Sequence, residues 1–232
     1  GYVHLQQTTS ASETIAAKQA FQSWADTHGV TIKHYHADNG IFADNQCRKA
    51  VSNSHQRLTF SGVNAHFQSG MAERRIRDLQ DTARTMLIHA SKRWPSAITS
   101  HLWSHALRYA NDMFNEAPMK KHKDHTPMEL FSGSPVRFNI INAQTFGCPA
   151  YVLDNELQQG HRISKWAQRS RVGIFLGHSP QHARTVGLIL SLSSGLTSPQ
   201  FHVQYDDGFT TMRQSFGNQP PISDWQNKCH FL

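Results

Sequence analysis

Hydrophobic periodicity changes character once along these 232 residues, near residue 145, and that change limits the fold more than any other feature. Before it, short runs of period-two alternation are interleaved with longer runs whose apolar residues recur at helical spacing. After it come four short apolar or alternating runs, TFGCPAYVL, RVGIFLG, VGLILSL and QFHVQY, parted by the turn-forming GHSPQHA and LSSGLTSP. Interleaved strand and helix patterns call for an α/β layer structure, whereas regularly spaced short strands alone call for a small antiparallel sandwich or barrel. The expected organisation is an α/β region over residues 1–140, an antiparallel β-barrel over 145–210 and a tail over 211–232.

In the first region YVHLQQ, residues 2–7, alternates weakly and reads as a strand. SASE, from Ser10 to Glu13, has the form of a capping box. The helix it opens places Ala17, Ala20, Phe21 and Trp24 on one face and stops near Gly29. VTIKHYHAD is a second strand, a short helical piece spans Cys47 to Val51, and RLTFS, residues 57–61, is a third strand. The longest helix runs from about Gly70 to Lys92, with Ala72, Ile76, Leu79, Ala83, Met86, Leu87 and Ala90 in one apolar stripe. Glu73, Arg77 and Arg84 lie on the neighbouring flank. Another amphipathic helix carries Leu102, Ala106, Tyr109, Ala110 and Met113, and Pro118 to Phe138 is basic and turn-rich, its KKHK at 120–123 a solvated loop.

Lys and Arg number 23 against 16 Asp and Glu, a net charge of +7 that makes a polyanion a fitting partner, nucleic acid first and an anionic membrane surface second. No run of eighteen apolar residues exists to span a membrane, and GYVHLQQTTS has neither the basic start nor the apolar core of a signal peptide. The three cysteines, Cys47, Cys148 and Cys229, are far apart and form no C-x-x-C pair, so a reducing compartment is expected. The sixteen histidines are scattered. His101/His105 and His122/His125 have helical spacing, but no third ligand accompanies either pair.

Two acids stand apart. Asp38 closes the second strand, at the end where open α/β sheets bind ligands, and Glu73 lies in the first turn of the long helix, off its apolar stripe. Such a pair could hold Mg²⁺, a hard cation that takes oxygen ligands. The spacing leaves a plainer reading open: Asp-Asn-Gly is a common turn, and Glu73 could pair with Arg77 or favour the helix N-terminus.

ADNG followed by GMAERRIRDLQDTARTML resembles the second half of a DDE-type integrase core from copia-type retrotransposon Pol polyproteins. LWSHALRYANDMFNEAP, TPMELFSG and FGCPAYV continue the likeness. RSRVGIFLGHSP and SPQFHVQYDD are similar to the Src-homology-3-like barrel that follows that core. The resemblance runs from about residue 2 to about residue 210. It implies an RNase H-like core that joins element DNA 3′ ends to target DNA by metal-dependent transesterification with Mg²⁺ or Mn²⁺. By position, Asp38 and Glu73 are the second and third metal-binding acids, Asn39 and Gly40 shape the adjoining turn, and Gly70 belongs to a mobile loop. Arg74, Arg75 and Arg77 are placed to meet phosphates. In the barrel, Lys165, Trp166, Arg169, Arg171 and His178 set cations and an aromatic near the strands, which suits phosphate contact with stacking; Trp166 reads equally as a core residue under a basic rim.

The family's first acid has no counterpart. It lies on the family's first, central strand, and this chain is expected to start at the third, an N-terminally truncated core. The family's sheet runs three, two, one, four, five, so its middle is expected to be missing and the edge of VTIKHY unpaired. A two-metal site short of a bridging carboxylate is expected to lose metal affinity and rate. Ser69 stands where the family has Asn. The expected protein is an integrase fragment with DNA as partner, room for a homo-oligomer, neither membrane nor small-molecule substrate, and a nuclear location that follows from the family's work. The alternative is a catalytically dead relic acting at most as a basic nucleic-acid-binding module.

Overall fold

Strand and helix signals before residue 145 resolve, in the computed structural model, into a short parallel strand pair with helices; those after it resolve into one antiparallel sheet. Residues 1–62, 70–122, 124–135 and 143–212 are described. Ser69, Lys123, Cys229 and nearly all of the expected tail lie outside them. The chain divides into two compact units, Gly1–Asp81 with Asn111–Phe138, and Thr82–Ala110 with Asn139–Leu232. No helix among the described residues is long and apolar enough to cross a membrane.

In the first unit, helix α1 spans Ala11–Thr27. Its N-cap Ser10 accepts a hydrogen bond from the Glu13 N–H at 3.3 Å, as the capping box requires. The Glu13 carboxylate reaches past the cap, accepting from the N–H groups of Gln7 and Thr8 at 2.9 and 2.8 Å. The helix stops where Gly29 adopts φ +72°, with the N–H groups of His28 and Gly29 bonded to the carbonyls of Ala25 and Asp26. Strand β1 (His34–Ala37), helix α2 (Asn45–Asn53) and strand β2 (Arg57–Phe60) follow, and β1 pairs with β2 in parallel, His34 opposite Arg57 and Ala37 opposite Phe60. Helix α3 spans Gly70–Arg93, α4 Trp103–Glu116 and α5 Pro127–Ser132.

Two expectations for this region need correction. Residues 2–7 do not form a strand, because β1 and β2 are the whole of this sheet among the described residues and no ladder reaches the segment. The stretch after Pro118 is not all loop. Thr126-Pro127-Met128-Glu129 builds a reciprocal capping box that starts α5, with Gly133 at φ +66° ending it.

The core of this unit is thin. Ala25, Cys47, Val51 and Leu79 are its buried apolar residues, and no residue of β1 or β2 is fully buried. Rings fill part of the deficit: Trp24 packs against Tyr2, Phe21 and Phe131 with centroids 5.1 to 6.0 Å away.

The second unit holds strands β3 (Pro149–Leu153), β4 (Ser170–His178), β5 (Gly187–Ser191), β6 (Thr197–Gln200) and β7 (Val203–Tyr205), with a one-turn helix α6 (Asn155–Gln158) after β3. They form one antiparallel sheet in the order β6-β5-β4-β3-β7. Ile174, Phe175, Leu176 and Val152 are among its most deeply buried side chains.

The expected barrel is not closed, since β6 and β7 are the two edges of the sheet and do not pair. Yet QFHVQY passes from one edge to the other with only Phe201 and His202 between them. Three Cα–Cα steps reach at most about 11 Å, whereas five strands laid flat would separate their edges by about 19 Å. The sheet therefore curls strongly. It does so partly at the irregularity between Phe175 and His178, where Gly177 takes φ +119°.

Candidate functional site

Strand β1 ends at Ala37 because its last ladder bond, from the Ser61 N–H to the Ala37 carbonyl, is made there at 3.0 Å. Asp38 is the next residue, at the carboxyl end of the strand. The turn is fastened by its neighbour: the Asn39 side-chain amide donates to the Ser61 carbonyl at 3.0 Å. Gly40 adjoins the carboxylate, and a Cβ there would meet the nearer Asp38 oxygen at 3.4 Å, an ordinary contact. Its φ of −73° makes no special demand for glycine.

Glu73 enters from the first turn of α3. The acids are 35 positions apart in sequence, and the fold brings both onto the lining of one cavity of about 470 Å³. Both are solvent-exposed, and neither carboxylate accepts a hydrogen bond or forms an ion pair among the described residues. Of the plainer readings only the Glu73–Arg77 pair loses its support: Asp38-Asn39-Gly40 still reads as a turn, and Glu73 lies in the first turn of α3, where an acid favours the helix N-terminus. Asn39 does the work of the turn, and no ion pair joins Glu73 to Arg77.

Whether these residues suit a divalent metal is a matter of donor count. Mg²⁺ demands near-octahedral oxygen coordination and is usually held by carboxylates together with substrate phosphates. No group of three His, Cys, Asp or Glu is assembled to hold a metal among the described residues. Two carboxylates alone do not make a resident metal site. Among the described residues the histidine pairs His101/His105 and His122/His125 gain no third ligand either.

The arginines of α3 part company. Arg74 and Arg77 are exposed. Arg75 instead lays its guanidinium over the Phe114 ring, 3.2 Å from the centroid, with Nε and one terminal nitrogen buried and without a hydrogen-bond partner among the described residues. Burial lowers its pKa, partly offset by nearby Asp78.

In the second unit Trp166 is 85% exposed, which overturns the core reading of that residue. The Lys165 ammonium lies 5.4 Å from its ring centroid, and Arg169 and Arg171 are exposed. His178 is packed rather than presented, with the rings of Tyr109 and Phe175 at 5.9 and 5.4 Å. Sequence reasoning passed over His36. It lines the cavity beside Asp38, and its ring nitrogens bond the hydroxyls of Thr59 and Ser61 at 3.0 and 3.3 Å. Its only signal was its place in the alternation of HYHAD.

The chain is 26% identical over 157 residues, 67% of its length, to the retrovirus-related Pol polyprotein from transposon RE1 of Arabidopsis thaliana. It is related to a transposon Pol polyprotein. The expectation drawn from the ordered motifs, a copia-type retrotransposon Pol polyprotein, is borne out at that level. The chain spans about a tenth of that relative's length. No family model matches it. A partial structural likeness, TM-score 0.43 at 19% identity, is found to a chain of the cryo-EM structure of the simian T-cell lymphotropic virus intasome in complex with PP2A regulatory subunit B56 gamma. It covers 86% of this chain and 66% of that one.

Proposed function

We propose that this Pol relative is an integrase-related fragment that binds DNA and carries two of the acids of a metal-dependent strand-transfer site. The observation that carries the reading is the convergence of Asp38 and Glu73 on one cavity, each with its carboxylate uncommitted. In the complete reaction a DNA 3′-hydroxyl would displace an oxygen of a target phosphodiester, and Asp38, Glu73 and a further carboxylate would hold divalent metal, whose charge would assist that displacement. The chain's own contribution is to hold two carboxylates at the cavity rim, with the Asn39 turn and the α3 helix setting their positions. A further carboxylate is needed to complete the donor set. The expected result is no strand transfer by this chain on oligonucleotide substrates with either Mg²⁺ or Mn²⁺. Joined products that disappear on Asp38→Asn would show that the acid pair suffices and the reading of an incomplete site is wrong.

A second reading is favoured by a separate observation. Exposed Trp166, capped by Lys165 and near exposed Arg169 and Arg171 in the sequence, suits a sequence-independent nucleic-acid contact made of base stacking and phosphate pairing. On this reading the chain is a catalytically dead binding module. Nucleic-acid affinity that survives Asp38→Asn with Glu73→Gln but falls on Trp166→Ala favours it.

A further inference from the structure

Strands β1 and β2 bring two histidines and two hydroxyls onto one face. In the parallel ladder His36 stands opposite Thr59, and alternation sets His34 before His36 and Ser61 beyond Thr59 on that same face. His34 and His36 are exposed, whereas Tyr35 and Ala37, on the other face of β1, are half-buried. Neither imidazole is used to fill a core.

The two rings converge on a single atom. Nε2 of His34 and Nδ1 of His36 approach the Thr59 hydroxyl oxygen at 2.7 and 3.0 Å. A hydroxyl carries one proton and cannot donate to both rings. His36 is also held from behind, its Nε2 lying 3.3 Å from the Ser61 hydroxyl. When that oxygen accepts the Nε2–H, Nδ1 keeps its lone pair toward Thr59. Metal-bound imidazoles are oriented in this way, with the second ring nitrogen donating to a fixed acceptor.

We propose that His34 and His36 form a zinc site, Nε2 of the first and Nδ1 of the second binding the ion and water filling the remaining positions. A tetrahedral zinc ion with bonds of about 2.0–2.1 Å holds two such nitrogens roughly 3.4 Å apart. Rotation of the exposed rings about their side-chain torsions brings them to that spacing. Two imidazoles suit a borderline ion such as Zn²⁺ and suit Mg²⁺ poorly, since Mg²⁺ takes oxygen ligands. The site is thus separate in chemistry from the acid pair, and it stands whether or not Asp38 and Glu73 hold a metal. It calls for no third protein ligand, in keeping with the lack of any group of three His, Cys, Asp or Glu assembled for a metal among the described residues. Its parts come wholly from the paired strands β1 and β2.

The test titrates the chain with Zn²⁺ alone and follows the ring nitrogens of each histidine by ¹⁵N NMR. A per-residue readout is required because sixteen histidines offer zinc other places to bind. Saturation at one equivalent is expected, with Nε2 of His34 and Nδ1 of His36 the nitrogens that shift. His34→Gln with His36→Gln is expected to abolish that saturable binding. Should the pair misfold, Ser61→Ala leaves both imidazoles in place and is expected to weaken zinc about tenfold by freeing the His36 ring. Asp38→Asn is expected to leave zinc affinity unchanged. Shifts spread over other histidines, or affinity that survives the double substitution, overturn the site. Loss of zinc on Asp38→Asn overturns it too, because the ion then belongs to the acids.

Discussion

At the scale of single residues, Gly147 has little freedom to change. Its φ is +83°, and a Cβ there would overlap the methyl of Ala90 and come within 3.3 Å of that residue's Cα. Its N–H donates to the Phe175 carbonyl and its own carbonyl accepts from the Trp94 indole, each at 2.8 Å. Gly147→Ala is expected to destabilise the second unit by about 1–3 kcal/mol, seen as a lower urea midpoint with an unchanged slope. Asp206 gives a prediction in pH. Burial alone would raise its pKa, but its carboxylate accepts from the Thr211 N–H and hydroxyl at 2.7 Å and from the Thr210 hydroxyl at 2.8 Å. The net effect lowers it below the ordinary 3.8. A folded-state value below the unfolded one stabilises the fold at pH above the unfolded value, and that contribution is lost as the pH falls through the folded value. The urea midpoint of the parent chain is therefore expected to drop below pH 4 more steeply than that of Asp206→Asn. FGCPAYV and SPQFHVQYDD were legible as motifs, but the reason for the glycine is a partner brought close by folding, which no local pattern displays, whereas the threonines that bond the aspartate lie only four and five residues on.

At the scale of elements, what was legible depended on how far each one is self-sufficient. Helices α1, α3 and α4 follow the apolar stripes closely, because helical hydrogen bonds are made within the element and the stripe is local. Helix α5 was missed although its signal was local too: Thr126-Pro127 followed by Glu129 is a capping box with proline at the first helical position. Thr126 is buried, its hydroxyl accepts from the Glu129 N–H at 3.1 Å, and the Glu129 carboxylate accepts from the Thr126 N–H at 2.8 Å. Thr126→Ala is expected to cost about 1 kcal/mol, measured by thermal or urea denaturation. Strands fared worse. YVHLQQ has a strand's alternation but pairs with no strand among the described residues, and VTIKHYHAD shortens to the four residues His34–Ala37 that β2 covers. QFHVQY split in two because the sheet curls beneath it. A strand is a property of its partner as much as of itself.

For the molecule as a whole, the net charge of +7 and the exposed cations predict binding to nucleic acid that weakens linearly in log affinity against log salt. Replacing Lys165, Arg169 and Arg171 together with alanine is expected to flatten that slope by about 0.7–0.9 for every phosphate left without its cation. A slope unchanged by the triple substitution would place the nucleic acid on another surface. The sequence by itself determined the change from α/β to all-strand texture, the long amphipathic helices, the basic balance and the Pol resemblance, because each is written in local composition, periodicity or motif order. Only the tertiary structure decided that Asp38 and Glu73 share a cavity, that Arg75 turns onto Phe114 while Trp166 stays in water, and that the five-stranded sheet curls without closing. Those outcomes depend on which residues distant in the chain meet, and on which backbone edges find partners.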